Sequence, residues 1–113
     1  MNFTLNHTEN VAIIASGVEK LNALNAQELK EMLFQLQKSG VNHVVLDMSA
    51  TRYCDSSGLS AILLANRICK EASGKFILCG LQENVEKLIQ MAQLDKVLTV
   101  TKNQQQANEA IAE

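Results

Sequence analysis

The chain has 113 residues, 47% of them hydrophobic, and a formal net charge of -2 from 10 basic and 12 acidic side chains. That length supports one domain, residues 1–113, whose folding buries about two-thirds of the unfolded chain's surface. So balanced a charge gives nucleic acid or an anionic membrane nothing to bind, and no apolar run approaches the ~20 residues of a spanning helix.

Residues 1–10 lack the basic and apolar regions of a signal peptide, so a cytoplasmic protein without membrane insertion is expected. Aromatic residues make up 4% of the chain and Trp is absent, which points to an aliphatic core. The cysteines, Cys54, Cys69 and Cys79, are odd in number and lack CxxC spacing, and His7 and His43 complete no ligand pattern. No metal site and no cofactor are expected. Packing as small buried hydrophobes accounts for Cys69 and Cys79. Cys54 borders a polar corner, where a redox-sensitive thiol is the competing reading.

In chain order, Phe3-Thr4-Leu5 alternates, residues 6–10 are turn-like, and Val11 to Ala15 forms a strand core, which together predict a hairpin. Residues 16–24 read as a loop. Asn25 followed by Glu28 fits a capping-box start, and Leu29, Met32, Leu33 and Leu36 continue at helical spacing until Ser39-Gly40. A β-branched run predicts a strand over 41–48. The next helix runs to about Ala72 and stops at Ser73-Gly74. A strand over 75–79, a helix carrying Val85, Leu88, Ile89 and Ala92, a strand over 97–100 and a terminal helix over 104–112 complete the chain.

This alternation predicts an α/β fold, a small mixed, mostly parallel sheet with an N-terminal hairpin and about four helices, joined by right-handed crossovers. At least the first three helices are expected to pack on the sheet. There is no repeat and no linker.

The most informative stretch is Tyr53-Cys54-Asp55-Ser56-Ser57-Gly58-Leu59, a strand end and polar corner leading into a helix. Asp55, Ser56 and Ser57 are all good N-cap residues, and a serine there is expected to be exposed at the positive end of the helix dipole. On the helix that follows, Ala61, Ile62, Leu64, Ala65, Ile68, Cys69 and Ala72 share an apolar arc at ~100° per residue. Leu59 and Leu63 fall instead among Ser60, Asn66, Arg67 and Lys70, which suggests either a partner-binding patch or an edge of the core.

Asp55-Ser56-Ser57-Gly58-Leu59, after a strand ending in Leu46-Asp47, resembles the signature of STAS domains, and most closely the bacterial anti-sigma factor antagonists. The resemblance continues through Gly74 to Leu78, Val85 to Leu88 and Leu94 to Leu98, covering roughly residues 3 to 112. It implies a STAS-like single domain that is a binding protein and not an enzyme. Ser57 would be phosphorylated by a partner serine kinase that is itself the anti-sigma factor, and a cognate phosphatase would reset the switch. Asp55 would shape the corner and contact the kinase, Ser56 would cap or hydrogen-bond, and Gly58 would let a partner's backbone approach. Leu59, Leu63 and Arg67 would extend the partner surface. Many antagonists carry a G-x-x-D-like segment after the N-terminal strand; here residues 16–22 fill that place with different spacing, and Asn22 is the nearest match to the acidic position.

Two other readings of the chain stand beside this one. The first is a constitutive STAS adaptor subunit of a transporter or signalling complex. The second is a serine hydrolase, against which the corner lacks the G-x-S-x-G elbow and only His7 and His43 are available as a base. For Ser57 itself, the plainest alternative is a helix cap worth ~1 kcal/mol.

Overall fold

The computed structural model describes residues 2–8 and 10–113; Met1, at the start of the expected domain, and Glu9, in the expected hairpin turn, lie outside them. Strands β1 (Phe3–His7), β2 (Val11–Ser16), β4 (His43–Asp47), β6 (Phe76–Cys79) and β7 (Thr99–Thr101) form one sheet in the order β1-β2-β4-β6-β7. Only β1 and β2 are antiparallel; the other pairings are parallel. The expected mixed, mostly parallel sheet with an N-terminal hairpin is therefore present.

The central strands are buried on both faces, as parallel strands covered by helices must be. In β6 all four residues are buried. Phe76 and Leu78 pack with Val44 and Leu46 into the larger core, which also takes Leu29 and Leu33 of α1 (Ala23–Lys38), Ile62 and Ile68 of α2 (Ser56–Glu71) and Val85 and Ile89 of α3 (Glu83–Met91). Ile77, Cys79 and Val45 point the other way and meet Ala107 of α4 (Gln104–Ala112). The three crossover helices thus cover one face, while the terminal helix covers part of the opposite one. A Gln104 amide donating to the Asp47 carboxylate at 2.7 Å pins the start of α4 to the end of β4.

Three local readings change. Helix α1 begins three residues earlier than its Asn25–Glu28 pattern predicts, because an equivalent pair lies just upstream. The Asn22 side chain accepts from the Leu24 amide at 3.0 Å, and Asn25 accepts from the Asn22 amide at 3.0 Å. Glu28 instead accepts from the Asn2 side chain at 2.9 Å. Within the expected loop, Lys20–Leu21 forms a strand, β3, paired in parallel with β5 (Tyr53–Cys54). Two residues carry no readable periodicity, so β3 had no sequence signal, whereas Tyr53 reads as a strand end. At the end of α2 the left-handed residue is Ser73 (φ 59°), not Gly74. Gly74 is there for space: a Cβ on it would come within 1.6 Å of the Asn42 carbonyl oxygen.

Candidate functional site at the head of α2

The corner is held from below by a buried hydroxyl pair. Thr51, fully buried, donates to the Val18 carbonyl at 2.7 Å, which leaves its oxygen to accept from the Ser16 hydroxyl at 2.7 Å. Above it the amides of Arg52 and Tyr53 both donate to the Glu19 carbonyl, and the Asp55 amide donates to the Leu21 carbonyl at 3.1 Å. The β4–β5 loop is thereby tied to the β2–β3 loop, and the chain enters α2 in a defined direction.

Asp55 is the N-cap: its carboxylate accepts from the Gly58 amide at 3.0 Å, satisfying one donor that the first turn leaves open. Capping therefore falls to Asp55 rather than to either serine. Ser56 and Ser57 are the first two helical residues, Ser56 exposed and Ser57 half-buried. The expected exposed serine is thus Ser56. The Asp55 charge and the Ser56 hydroxyl share the positive end of the α2 dipole.

Gly58 requires a correction. It is buried, and a Cβ there would lie 2.6 Å from the Cys54 sulfur and 2.7 Å from the Leu21 carbonyl oxygen. The backbone that this glycine admits is the chain's own β3, not a partner's. Neighbouring Cys54 is also packed against the core. Burial, reinforced by the Asp55 charge, pushes its thiol up to about 12, so it stays protonated and a poor nucleophile at neutral pH. Burial likewise lifts Cys69 and Cys79 to about 11.

Leu59 and Leu63 divide between their two readings. Leu59 is half-buried and packs on the core, whereas Leu63 is exposed. Between α1 and α2 runs an open groove of about 720 Å³, lined among others by Lys30 and Phe34 of α1 and by Ser56, Leu59, Leu63 and Arg67 of α2. Ser57 does not line it. The α1 wall was missed from sequence because Lys30 and Phe34 lie off the apolar stripe of that helix; an aromatic on a polar face was the available signal. Asn22, used as the α1 cap, lies with Asp55 around a smaller cleft of about 290 Å³, bordered also by Lys20 and Tyr53.

Both histidines are remote from the serines. His43 opens β4, opposite Val11, and its Nδ1 accepts from the Lys75 amide at 3.0 Å; His7 pairs with Ala12. Both belong to the end of the sheet away from the Asp47 end, where the corner lies, so neither can serve the Ser56–Ser57 hydroxyls as a base. Among the described residues no His, Cys, Asp and Glu cluster could hold a metal ion. No helix there is long and apolar enough to cross a membrane.

A small mixed sheet, crossover helices on one face and a D-S-S-G corner at the head of the second helix are the layout of a STAS domain. The chain belongs to that family, whose profile matches residues 2–107. It is 26% identical over 87 residues to BtrV of Bordetella bronchiseptica, provisionally named an anti-sigma factor antagonist, a match spanning 77% of this chain and 75% of that protein. An anti-sigma F factor antagonist of Paenibacillus polymyxa is 28% identical over 69 residues, 61% of this chain and 59% of its own length. Among solved structures, a Thermotoga maritima protein provisionally described as an anti-sigma factor antagonist superposes with a TM-score of 0.90 at 25% identity, covering 98% of this chain and 95% of that one. The anti-sigma factor antagonist SpoIIAA in its unphosphorylated form shares the fold, with a TM-score of 0.77 at 17% identity over 97% of each chain.

Proposed function

We propose that this STAS domain is an anti-sigma factor antagonist, a binding protein rather than an enzyme, acting in the bacterial cytoplasm and switched by phosphorylation at the head of α2. The kinase is the anti-sigma factor itself, and a cognate phosphatase removes the phosphate. One observation carries the reading: an exposed serine, Ser56, is the first residue of α2 and lines the α1–α2 groove. The resemblance puts the phosphate on Ser57, which is half-buried and off the groove; its neighbour Ser56, exposed and lining the groove, is the acceptor we propose. The names of the relatives support the reading, as does SpoIIAA, whose fold this chain shares and which has been solved in phosphorylated as well as unphosphorylated form.

Magnitudes favour a switch of binding over a switch of folding. A phosphate adds about -1.5 to -2 charges. The α2 dipole stabilises that charge by ~0.3–1 kcal/mol, and the Asp55 carboxylate opposes it. These contributions partly cancel and are small beside a typical stability of ~5–15 kcal/mol. Across an interface the same charge costs several kcal/mol when misplaced, and every 1.4 kcal/mol is about tenfold in affinity.

The test is phosphosite mapping after incubation with ATP and lysate of the source cell, using the parent, Ser56→Ala and Ser57→Ala proteins. Phosphate on Ser56, retained in Ser57→Ala and lost in Ser56→Ala, is expected. Phosphate on Ser57 alone would refute the exposure reasoning, and a kinase that binds all three proteins without modifying any refutes the switch.

A further inference from the structure

The groove between α1 and α2 has a chemistry that specifies what fits it. Its lining is apolar in the middle, where Phe34 is 43% and Leu63 is 37% exposed, with Leu59 half-buried beside them. Lys30 on one wall and Arg67 on the other are the charged residues that line it, and no carboxylate does. Among the described residues neither cation is engaged in an ion pair, although acidic side chains outnumber basic ones in the chain as a whole, 12 against 10. Two free cations flanking an exposed Phe–Leu pair call for a ligand that is apolar along one stripe and negative on both sides of it.

The spacing sets the ligand's form. Leu59, Leu63 and Arg67 recur every four residues on α2, and Lys30 and Phe34 do so on α1. Such i, i+4 rows are ridges, and the valley between two of them accepts the ridge of a third helix. The α2 wall from Ser56 to Arg67 extends about 16 Å at 1.5 Å per residue, the length of roughly three helical turns.

We propose that the α1–α2 groove docks an acidic amphipathic helix of the partner protein, its apolar stripe on Phe34 and Leu63 and its carboxylates on Lys30 and Arg67. This is helix-in-groove recognition, with anchors on the ligand at i, i+3, i+4 and i+7. It rests on the switch reading in one respect, since the partner that brings the helix is the one released by phosphorylation. Ser56 stands at the head of the same groove. A phosphate there sets about -1.5 to -2 charges against the acidic flanks of the ligand, which gives the switch its mechanism: the modification repels the helix that the two cations attract.

The experiment titrates the full chain, isotope-labelled for amide NMR, with two fluorescein-labelled peptides of about 14 residues, long enough to form a helix on binding. Both carry Leu at the four anchor positions; one has Glu on its flanks and the other Lys. The Glu peptide is expected to bind at least tenfold tighter by fluorescence anisotropy, with amide shifts confined to residues 27–34 and 56–67. Lys30→Glu combined with Arg67→Glu, two side chains off the core, is expected to reverse the order of the peptides. Equal binding of both peptides, shifts centred elsewhere, or groove shifts that appear with concentration and no peptide (a second copy occupying it) overturn the inference. Ser56→Asp is the separate arm. Loss of Glu-peptide affinity in that variant supports groove and switch together, while unchanged affinity leaves the groove standing and refutes the switch.

Discussion

Replacing Gly58 with Ala tests whether the head of α2 is locked by the chain's own packing. A glycine at the third position of a helix is unfavourable by ~1 kcal/mol relative to alanine, so propensity alone predicts stabilisation. Packing predicts the reverse. The added Cβ would lie 2.6 Å from the Cys54 sulfur, 2.7 Å from the Leu21 carbonyl oxygen and 2.9 Å from Leu21 Cγ. The Leu21 oxygen cannot retreat cheaply, because it accepts the Asp55 amide at 3.1 Å and belongs to the strand that orients the corner. Overpacking costs about 1–3 kcal/mol, and loosening that hydrogen bond adds ~0.5–1.5 kcal/mol. After subtracting the propensity gain, Gly58→Ala is destabilised by about 0.5–3.5 kcal/mol. At 4–8 °C per kcal/mol for a domain near 100 residues, the melting temperature falls by roughly 2–28 °C. Urea unfolding followed by circular dichroism gives the free energy, and Ser60→Ala, an exposed site on the same helix, is the control expected within about 0.5 kcal/mol of the parent. A Gly58→Ala protein at least as stable as the parent would show that the β3–α2 contact yields freely, and the account of Gly58 would fail.

Thr51→Val removes the donor to the Val18 carbonyl and the acceptor of the Ser16 hydroxyl while keeping the side chain's shape. Orphaning a buried polar group costs about 1–3 kcal/mol, so a loss of that order is expected in urea unfolding, and adding Ser16→Ala is expected to recover part of it; a double variant less stable than Thr51→Val rules out the proposed hydroxyl relay. Asp47 makes stability depend on pH. Burial pushes its carboxyl up, but hydrogen bonds from the Ser49 hydroxyl and amide and from Gln104 outweigh that and hold it below its ordinary value of 3.8. A lowered folded value means that its stabilisation is complete above the ordinary value and disappears as pH falls through the lowered one. Urea midpoints measured downward from pH 5 are expected to fall less steeply for Asp47→Asn than for the parent, and parallel profiles would remove Asp47 from the acid limb.

The order of helices and strands from residue 25 onward was legible because each element is long enough to show a period. The four-residue spacing of α1 and the buried run of β4 follow from which side chains must leave water, and neighbours in sequence suffice to reveal them. The D-S-S-G corner was legible for a similar reason: a cap and a turn are local, and their residue types are restricted by unpaired backbone groups. That locality also set the limit of resolution, since two Asn–x–x–acceptor pairs lie within seven residues and only packing decided that Asn22, not Asn25, heads α1.

What tertiary structure alone decided concerns approach between distant segments. Gly58 and Gly74 look like flexible punctuation in a sequence, yet each is required because the backbone of a distant segment lies within a side chain's radius of it. The pairing of Lys20–Leu21 with Tyr53–Cys54 joins residues 33 apart with too few positions to carry a pattern. Exposure divided two adjacent serines of identical chemistry, leaving Ser56 open and Ser57 half-covered, because on a helix successive residues point ~100° apart. The α1–α2 groove is the same kind of fact: Phe34 and Leu63 each look like a stray apolar residue on a polar face, and only the packing of one helix on the other makes them a surface.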